Sequence, residues 1–128
     1  DLTDLIVRKH AERQTVTVKP ATPLGQAYKQ MKLYDISQLP VLDKAGKVAG
    51  IVDESDILLK VFHDDTRFKD TVSSAMTSRL ETIDAGQPME ALLPIFAKDH
   101  VAIVFQGGAF VGLITRIDLL NHLRRRMR

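Results

Sequence analysis

The residues best suited to chemistry lie in two short segments, each ending in an aspartate. One reads Thr115-Arg116-Ile117-Asp118 and offers a hydroxyl, a guanidinium and a carboxylate; the other reads Asp53-Glu54-Ser55-Asp56 and is mainly acidic. We call Asp53–Asp56 the first corner and Thr115–Asp118 the second corner. Each follows a glycine and two β-forming residues, and an apolar run comes after it. This pattern is typical of a strand that turns directly into a helix.

A helix that begins at such a corner could bind an anion, because its first backbone N–H groups are free and its dipole is positive there. Thr115 would add a hydroxyl, Asp118 could accept hydrogen bonds from a ribose diol, and Arg116 could offset further negative charge. The same spacing is also that of a capping box. Capping is the simpler interpretation of each tetrapeptide alone, but a ligand would use the same donors, and recurrence of the pattern favours binding.

Other chemistry finds little support in the sequence. There is no cysteine, which excludes disulfides, thiolate nucleophiles and cysteine-bound metals. No nucleophile elbow, phosphate-binding Walker loop or dinucleotide fingerprint occurs. The four histidines lack metal-ligand spacing, so His63-Asp64-Asp65 is interpreted as a solvated loop. His100 precedes a strand, where it could touch a ligand or lie at the surface. We predict no catalytic residue and no metal.

Charge and hydropathy limit the partners. Residues 116–128 hold five arginines and one aspartate, so the rest of the chain carries −2 within an overall charge of +2. Arginine near a helix C-terminus offsets the dipole there, and we therefore expect no nucleic-acid partner. No apolar run approaches the ~20 residues of a membrane span, so we expect no membrane partner. The lack of cysteine favours the cytoplasm, and the initial Asp1 indicates a fragment of a longer chain.

The chain contains an internal repeat, which constrains its architecture strongly. Pro23-Leu24 recurs 65 residues later as Pro88-Met89, and Gly50-Ile51-Val52 recurs 62 residues later as Gly112-Leu113-Ile114. The difference predicts a loss of three residues from the second copy, around the counterpart of Ser37–Lys44. After each proline, apolar residues keep helical spacing; they are Leu24, Ala27, Tyr28 and Met31, matched by Met89, Leu92, Leu93 and Phe96.

Each copy is predicted to form a βαββα unit, in which a short strand and a helix precede a hairpin and a closing helix. The predicted strands are Thr15–Val18, Gln38–Leu42 and Val48–Val52 in the first copy, and Glu81–Ile83, Val101–Phe105 and Phe110–Ile114 in the second. Closing helices are expected at about 54–62 and 116–126, and further helices near 3–13 and 69–75.

The fold class is therefore α/β (α+β), with two pseudo-symmetric βαββα repeats packed through their sheets. Repeat one covers about residues 5–63 and repeat two about residues 69–126. A single unit of ~60 residues would be marginally stable, which favours packing of the two. We expect the corners to line a common cleft.

The repeated pattern resembles tandem cystathionine-β-synthase (CBS) domains, a regulatory pair called a Bateman module. The resemblance is carried by the two corners with their preceding strands and by Ser37-Gln38-Leu39-Pro40-Val41-Leu42-Asp43, and it spans roughly residues 5–124. Within the family, the resemblance is greatest to the C-terminal regulatory region of bacterial cystathionine β-synthase. This resemblance is carried by Met31–Pro40 and Gly112–Leu123. A pyridoxal-phosphate (PLP) catalytic domain would then precede this segment.

The resemblance implies that an adenosine-type ligand, AMP, ADP, ATP or S-adenosylmethionine, binds between the repeats and controls an attached enzyme. One site would use Asp118 for ribose and Thr115 for phosphate, with Arg116 nearby. Its walls would be Ile36, Ser37 and Gln38, with Thr22 close by. A second site would use Asp56, walled by Val101 and Ala102.

Two features leave other interpretations open. Asp53 stands where the family usually has Ser or Thr, so the first corner should reject phosphate, stay empty or prefer a cation such as the sulfonium of S-adenosylmethionine. The closing helices also carry apolar residues that a second CBS pair could cover in a homodimer. The alternative function is thus a structural dimerisation module with vestigial pockets.

Overall fold

The computed structural model describes residues 1–6, 16–77 and 79–127. The chain divides into two compact units: one spans Val16–Ser78, and the other combines the amino-terminal residues with Arg79–Arg128. Both are mixed α and β, as the sequence predicted. Neither contains, in the ranges given, a helix long and apolar enough to span a bilayer.

The unit of Val16–Ser78 is built on a hairpin. Strands β1 and β2 pair antiparallel with Gln38 opposite Asp53, and single bridges extend the sheet from Val18 to Val41 and from Ile51 to Thr77. Two α-helices flank the hairpin in sequence, and two 3-10 helices follow. The bounds are α1 Leu24–Tyr34, β1 Gln38–Leu42, β2 Val48–Asp53, α2 Glu54–Val61, and 3-10 helices Asp65–Lys69 and Val72–Ser74.

The second unit has a three-stranded sheet in the order β3-β4-β5. The first pair is parallel and the second antiparallel, with Ala102 opposite Ile114. The bounds are β3 Leu80–Asp84, α3 Leu92–Ala97, β4 Val101–Gln106, β5 Ala109–Ile114 and α4 Arg116–Arg125, with 3-10 helices Leu2–Leu5 and Met89–Ala91.

Each unit buries its own aliphatic core. In the first, Leu24, Ala27 and Met31 of α1 pack with residues of the hairpin and α2. In the second, Leu92, Ile95 and Phe96 of α3 pack with the sheet and Leu119. The third apolar position of each predicted stripe, Tyr28 and Leu93, is exposed instead. The helices therefore bury a narrower face than the sequence pattern predicted.

The ends of the two repeats are exchanged relative to the sequence boundaries. Leu2, Leu5 and Ile6, at the start of the chain where repeat one begins, pack in the core of the second unit. Val72 and Met76, assigned by sequence to repeat two, pack in the core of the first. Backbone bonds fix both ends: Leu2 N–H donates to the Ala85 carbonyl at 3.0 Å, and Thr77 N–H donates to the Ile51 carbonyl at 2.8 Å.

Most predicted elements occur within one or two residues of their expected bounds. The helix predicted near 3–13 is a 3-10 helix at Leu2–Leu5 with Ile6 extended, and residues 7–13 lie outside the described residues. The strand predicted at Thr15–Val18 reduces to a bridge at Val18, with Thr15 not described. The single helix predicted near 69–75 is replaced by two 3-10 turns separated at Asp70 and Thr71.

The three-residue deletion is distributed rather than concentrated between Ser37 and Lys44. The copies are offset by 65 at Pro23 and Pro88 and by 64 at Asp35 and Asp99, which share a left-handed backbone after their helices. The offset is 63 at the strand bulges that follow Val41 and Val104. One residue is therefore lost in the helix, one before the hairpin and one in its turn.

Gly50 is required by the strand bridge that closes the first unit. A Cβ there would lie 2.9 Å from the Thr77 carbonyl oxygen and 3.0 Å from Met76 Sδ. We predict that Gly50→Ala lowers the free energy of unfolding by about 1–3 kcal/mol, since the segment at 76–77 must move away. Gly25→Ala is the control, because its Cβ would meet nothing closer than 3.5 Å. Equal urea midpoints for the two variants would contradict this packing.

Candidate ligand-binding site

Each corner lies beside the start of the first hairpin strand of its own unit. In the first unit, Gln38 pairs with Asp53, and the N–H of Glu54 donates to the Ser37 carbonyl at 3.1 Å. In the second, the pairing of Ala102 with Ile114 brings Val101 level with Thr115. The antiparallel register thus brings candidate wall residues together with a corner of the same repeat, whereas sequence reasoning grouped them across repeats.

The first corner is closed by a reciprocal capping box. Asp53 Oδ1 accepts the N–H of Asp56 at 2.8 Å, and Asp56 Oδ2 accepts the N–H of Asp53 at 3.0 Å. Because the N–H of Glu54 is also bonded, two of the first three N–H groups of α2 have partners within the unit. The capping interpretation therefore holds here in full.

The second corner also forms a capping box, between Thr115 and Asp118, and adds a bond from the Thr115 hydroxyl. Asp118 Oδ2 accepts both the backbone N–H and the hydroxyl of Thr115, at 2.9 and 3.0 Å. Within the described part of the chain, the N–H groups of Arg116 and Ile117 and Asp118 Oδ1 have no hydrogen-bond partner. Thr115 and Asp118 are half-buried. This corner retains the free donors and the free carboxylate oxygen that a ligand would need.

Arg116 has an intramolecular role that the sequence did not suggest. Its Nη1 lies 3.0 Å from Asp99 Oδ1, and its Nη2 donates to the Phe96 carbonyl. The guanidinium therefore ties the start of α4 to the end of α3. To reach a ligand phosphate, as the sequence analysis expected, Arg116 would have to leave Asp99.

The candidate wall residues of the first unit are only partly grouped. Ile36 and Ser37 line an open pocket of about 370 Å³ together with Glu54 of the first corner. Gln38 is half-buried at the start of β1. Thr22 lies in the turn before α1, where its hydroxyl oxygen accepts the N–H of Lys19 at 3.1 Å, and it is not among the residues of this pocket.

Sequence reasoning missed the other lining residues of that pocket, Tyr28, Met31, Lys32 and Asp35. They belong to the last two turns of α1 and its cap. The available signal was Asp35, which matches Asp99 after the helix of the second copy. Without the left-handed backbone that both adopt, this match could not be distinguished from chance.

In the second unit, Val101 is half-buried, whereas Ala102 is fully buried in the core. Ala102 is 0% exposed, backbone included, and offers no surface to a ligand in this unit. His100, next to them, bonds through Nδ1 to Glu81 Oε2 at 2.9 Å, and Lys98 Nζ lies 3.3 Å from Glu81 Oε1. The hydrogen bond with His100 is the main cause that lowers the pKa of Glu81, and Lys98 adds to it.

Asp56 is half-buried within the first corner and participates in its capping box. No group of three potential metal-ligating side chains occurs among residues 1–6, 16–77 and 79–127.

The chain matches the CBS domain twice, over residues 7–63 and 72–125. It therefore belongs to the CBS-domain family, as a tandem pair, which is a regulatory ligand-binding module rather than a catalytic one. This confirms the resemblance that the repeated corners carried.

Named relatives and structures are consistent with this assignment. Inosine-5'-monophosphate dehydrogenase of Methanocaldococcus jannaschii is 29% identical over 85% of this chain and 22% of its own length. Cystathionine beta-synthase of Dictyostelium discoideum is 25% identical over 84% of this chain and 23% of its own length. The crystal structure of CBSX2 in complex with AMP has a TM-score of 0.79 at 19% identity, over 99% of this chain and 98% of that chain.

The chain thus spans less than a quarter of these two curated enzymes. The expected special closeness to bacterial cystathionine β-synthase is not supported, since similarity to the dehydrogenase is at least as great.

The Glu81 contacts predict a specific acid sensitivity. The pKa of Glu81 in the folded protein lies below its ordinary value of 4.5. The ionised carboxylate therefore stabilises the fold above pH 4.5. This stabilisation is lost as the pH falls through the pKa of the folded protein. We expect Glu81→Gln to lower the urea midpoint at about pH 6 and to approach the parent protein near about pH 3. Thr82→Ala, a neutral change on the same strand, serves as control. A Glu81→Gln difference that is equal at both pH values would contradict the role of Glu81.

Proposed function

We propose that this chain senses an adenosine-containing ligand and controls an attached catalytic domain. The ligand class is AMP, ADP, ATP or S-adenosylmethionine. The observation that carries the proposal is the second corner, where Thr115 and Asp118 leave helix donors and a carboxylate oxygen unused. The AMP bound by CBSX2, a protein of the same fold, supports the choice of ligand class.

A phosphate would bind at the start of α4. The helix has ten residues, and the N–H groups of Arg116 and Ile117 are unpaired within the described part of the chain. Oriented N–H groups and the positive end of the dipole stabilise an anion without rearrangement of the backbone. The Thr115 hydroxyl could turn from Asp118 toward the phosphate, because a hydroxyl rotates freely about its C–O bond.

A ribose would bind at Asp118. Its Oδ2 accepts the backbone N–H of Thr115, a bond that stays when the hydroxyl turns toward phosphate, while Oδ1 accepts none within the described residues. A vicinal diol can donate to one carboxylate through both hydroxyls, and charge-assisted bonds of this kind are short and strong.

The first corner is proposed not to bind phosphate. Asp53, Glu54 and Asp56 place three carboxylates within four residues, and the N–H groups of Glu54 and Asp56 already have partners. A carboxylate ~4 Å from a phosphate would cost about 4 kcal/mol per charge pair at an effective dielectric constant of ~20. Its candidate occupant is a positively charged ligand such as S-adenosylmethionine, or none.

The remaining site residues complete the proposal. Ile36, Ser37, Gln38 and Thr22 would wall the ligand at Asp118, and Val101, next to the buried Ala102, would wall the ligand at Asp56. The attached domain would be catalytic, and a PLP-dependent cystathionine β-synthase is one form of it. The similarity to a dehydrogenase as well as to a synthase leaves the type of enzyme open. A cytoplasmic location stays a prediction.

Binding can be measured by isothermal titration of the protein with AMP, ATP and S-adenosylmethionine. We expect one equivalent of nucleotide to bind, and Asp118→Ala to weaken binding at least about tenfold through loss of the charge-assisted bonds. Asp64→Ala is the matched control, because Asp64 also caps a helix, at Thr66, outside both corners. No heat from any of the three ligands, or equal affinity in both variants, would refute the sensor function.

A second candidate function is homodimerisation through another CBS pair. The closing helices expose large apolar side chains: Leu59 is 82% exposed and Phe62 is 72% exposed at the end of the first, and Leu120 is 60% exposed on the second. Such a set on two helices is more than isolated surface residues require. A second copy could cover both sets in a symmetric interface.

Sedimentation velocity tests the interface. We expect the protein to sediment as a dimer and the double variant Leu59→Lys with Leu120→Lys to sediment as a monomer, because buried lysines would be unpaired there. Leu33→Lys, on an exposed helix position of α1 (75% exposed), is the control. A monomeric parent protein would exclude this function and leave the ligand-binding proposal untouched.

A further inference from the structure

The two repeats differ in what fills the space between the end of their first helix and the start of their closing helix. In repeat two, the Arg116 guanidinium occupies that space and bonds to the Asp99 carboxylate and the Phe96 carbonyl. In repeat one, the same region is the open pocket of about 370 Å³. The chain therefore contains a filled and an open form of one structural position.

The equivalence follows from the backbone. Asp35 and Asp99 are the residues with left-handed φ values, +52° and +64°, that end the first helix of each repeat. The N–H of each donates to the carbonyl three residues earlier, in Lys32 and Phe96 respectively. Glu54 and Arg116 are each the first residue of the closing helix. Asp35 and the Lys32 carbonyl thus correspond to the two acceptors of repeat two. Glu54 corresponds to the residue that carries the guanidinium.

The charge of the pocket favours a cation. Asp35 and Glu54 line it with two carboxylates that have no hydrogen-bond or ion-pair partner among the described residues, and Lys32 contributes one positive charge. The Lys32 ammonium lies over the Tyr28 ring, 5.7 Å from its centroid. Counting two carboxylates and one ammonium, the lining has a formal charge of −1.

The size and floor of the pocket favour an organic cation over a bare ion. Its volume is at the lower end of the range for small-molecule sites, about 300–1,000 Å³. Met31 is buried and Ile36 half-buried at its walls, which supplies apolar contact. In repeat one, the residue opposite the cap of the closing helix is Gln38, which pairs with Asp53. Between the left-handed aspartate and the residue opposite the cap, repeat one therefore has one more residue than repeat two. The extra residue, Ser37, widens the space.

We propose that this pocket binds a guanidinium-bearing ligand, which takes the place that Arg116 fills in repeat two. A planar guanidinium can bond to a carboxylate and a carbonyl through adjacent nitrogens, as Arg116 does, whereas an ammonium cannot match that geometry. The positive end of the helix dipole does not prevent this, because Arg116 lies at the same position of α4. The site lies within one unit and shares Ile36 and Ser37 with the walls proposed for the nucleotide at Asp118.

The test is titration of the full chain with agmatine up to millimolar concentration, followed by amide NMR shifts and calorimetry. We expect one equivalent to bind and to shift residues of Tyr28–Ser37. Asp35→Asn and Glu54→Gln should each weaken binding about tenfold or more. Asparagine tolerates the left-handed backbone, so the first variant should fold. Asp65→Asn removes the same charge from an exposed position of this unit and should leave binding unchanged.

Glu54→Arg gives an independent check. Its guanidinium should reach Asp35, fill the pocket, raise the melting temperature and abolish agmatine binding. Putrescine, a cation without the planar fork, should bind more weakly than agmatine. The mass of the protein, as a monomer or a dimer, identifies where the bound guanidinium comes from. If agmatine leaves this mass unchanged, the pocket binds a free small molecule. If agmatine changes self-association, the pocket binds an arginine side chain of a second copy. Failure of agmatine to bind, or undiminished binding by Asp35→Asn or Glu54→Arg, would overturn the proposal.

Discussion

The antiparallel register of the two hairpins is the constraint on which the chemistry of this molecule depends. In each repeat, the register holds the beginning of the first hairpin strand level with the beginning of the closing helix. The pairs that do this are Gln38 with Asp53 in one copy and Ala102 with Ile114 in the other. Both hairpins carry a bulge at the corresponding place, after Val41 and Val104. A slip of one residue would turn the buried side chains outward and separate each corner from its neighbours.

On this common frame the two repeats have diverged in charge. The residue that caps the closing helix is an aspartate in one copy and a threonine in the other, and the next residue is a glutamate in one and an arginine in the other. Because the backbone is shared, these exchanges change which groups are left unbonded rather than where they lie. Repeat one retains surplus carboxylates beside a pocket, and repeat two retains surplus N–H donors beside a fixed carboxylate. The same fold thus presents opposite charges at its two corners.

The fold was largely predictable because the repeat supplied each element twice. Strands such as Gln38–Leu42 have continuous apolar runs, and the closing helices have a capping residue and an apolar stripe. The site was predictable only as residue types. Nothing in the sequence around Arg116 indicates that its partner is Asp99, which lies 17 positions away, because that contact depends on a left-handed residue and on helix packing. Likewise, the alanine at position 102 resembles any strand residue until the packing shows it to be buried.

The exchange of chain ends between the repeats separates the duplicated sequence from the folded unit. Leu2, Leu5 and Ile6 complete the core that residues 79–127 form, while Met76 and Thr77 close the sheet of the preceding half. If a gene duplication joined two equal copies, the two folded halves would not end where the sequence copies end. The halves therefore cannot be cut apart at the boundary between the copies. A fragment cut after the first repeat would lack its closing edge and carry an orphaned apolar segment. Inheritance of the two halves as one piece follows from this connectivity.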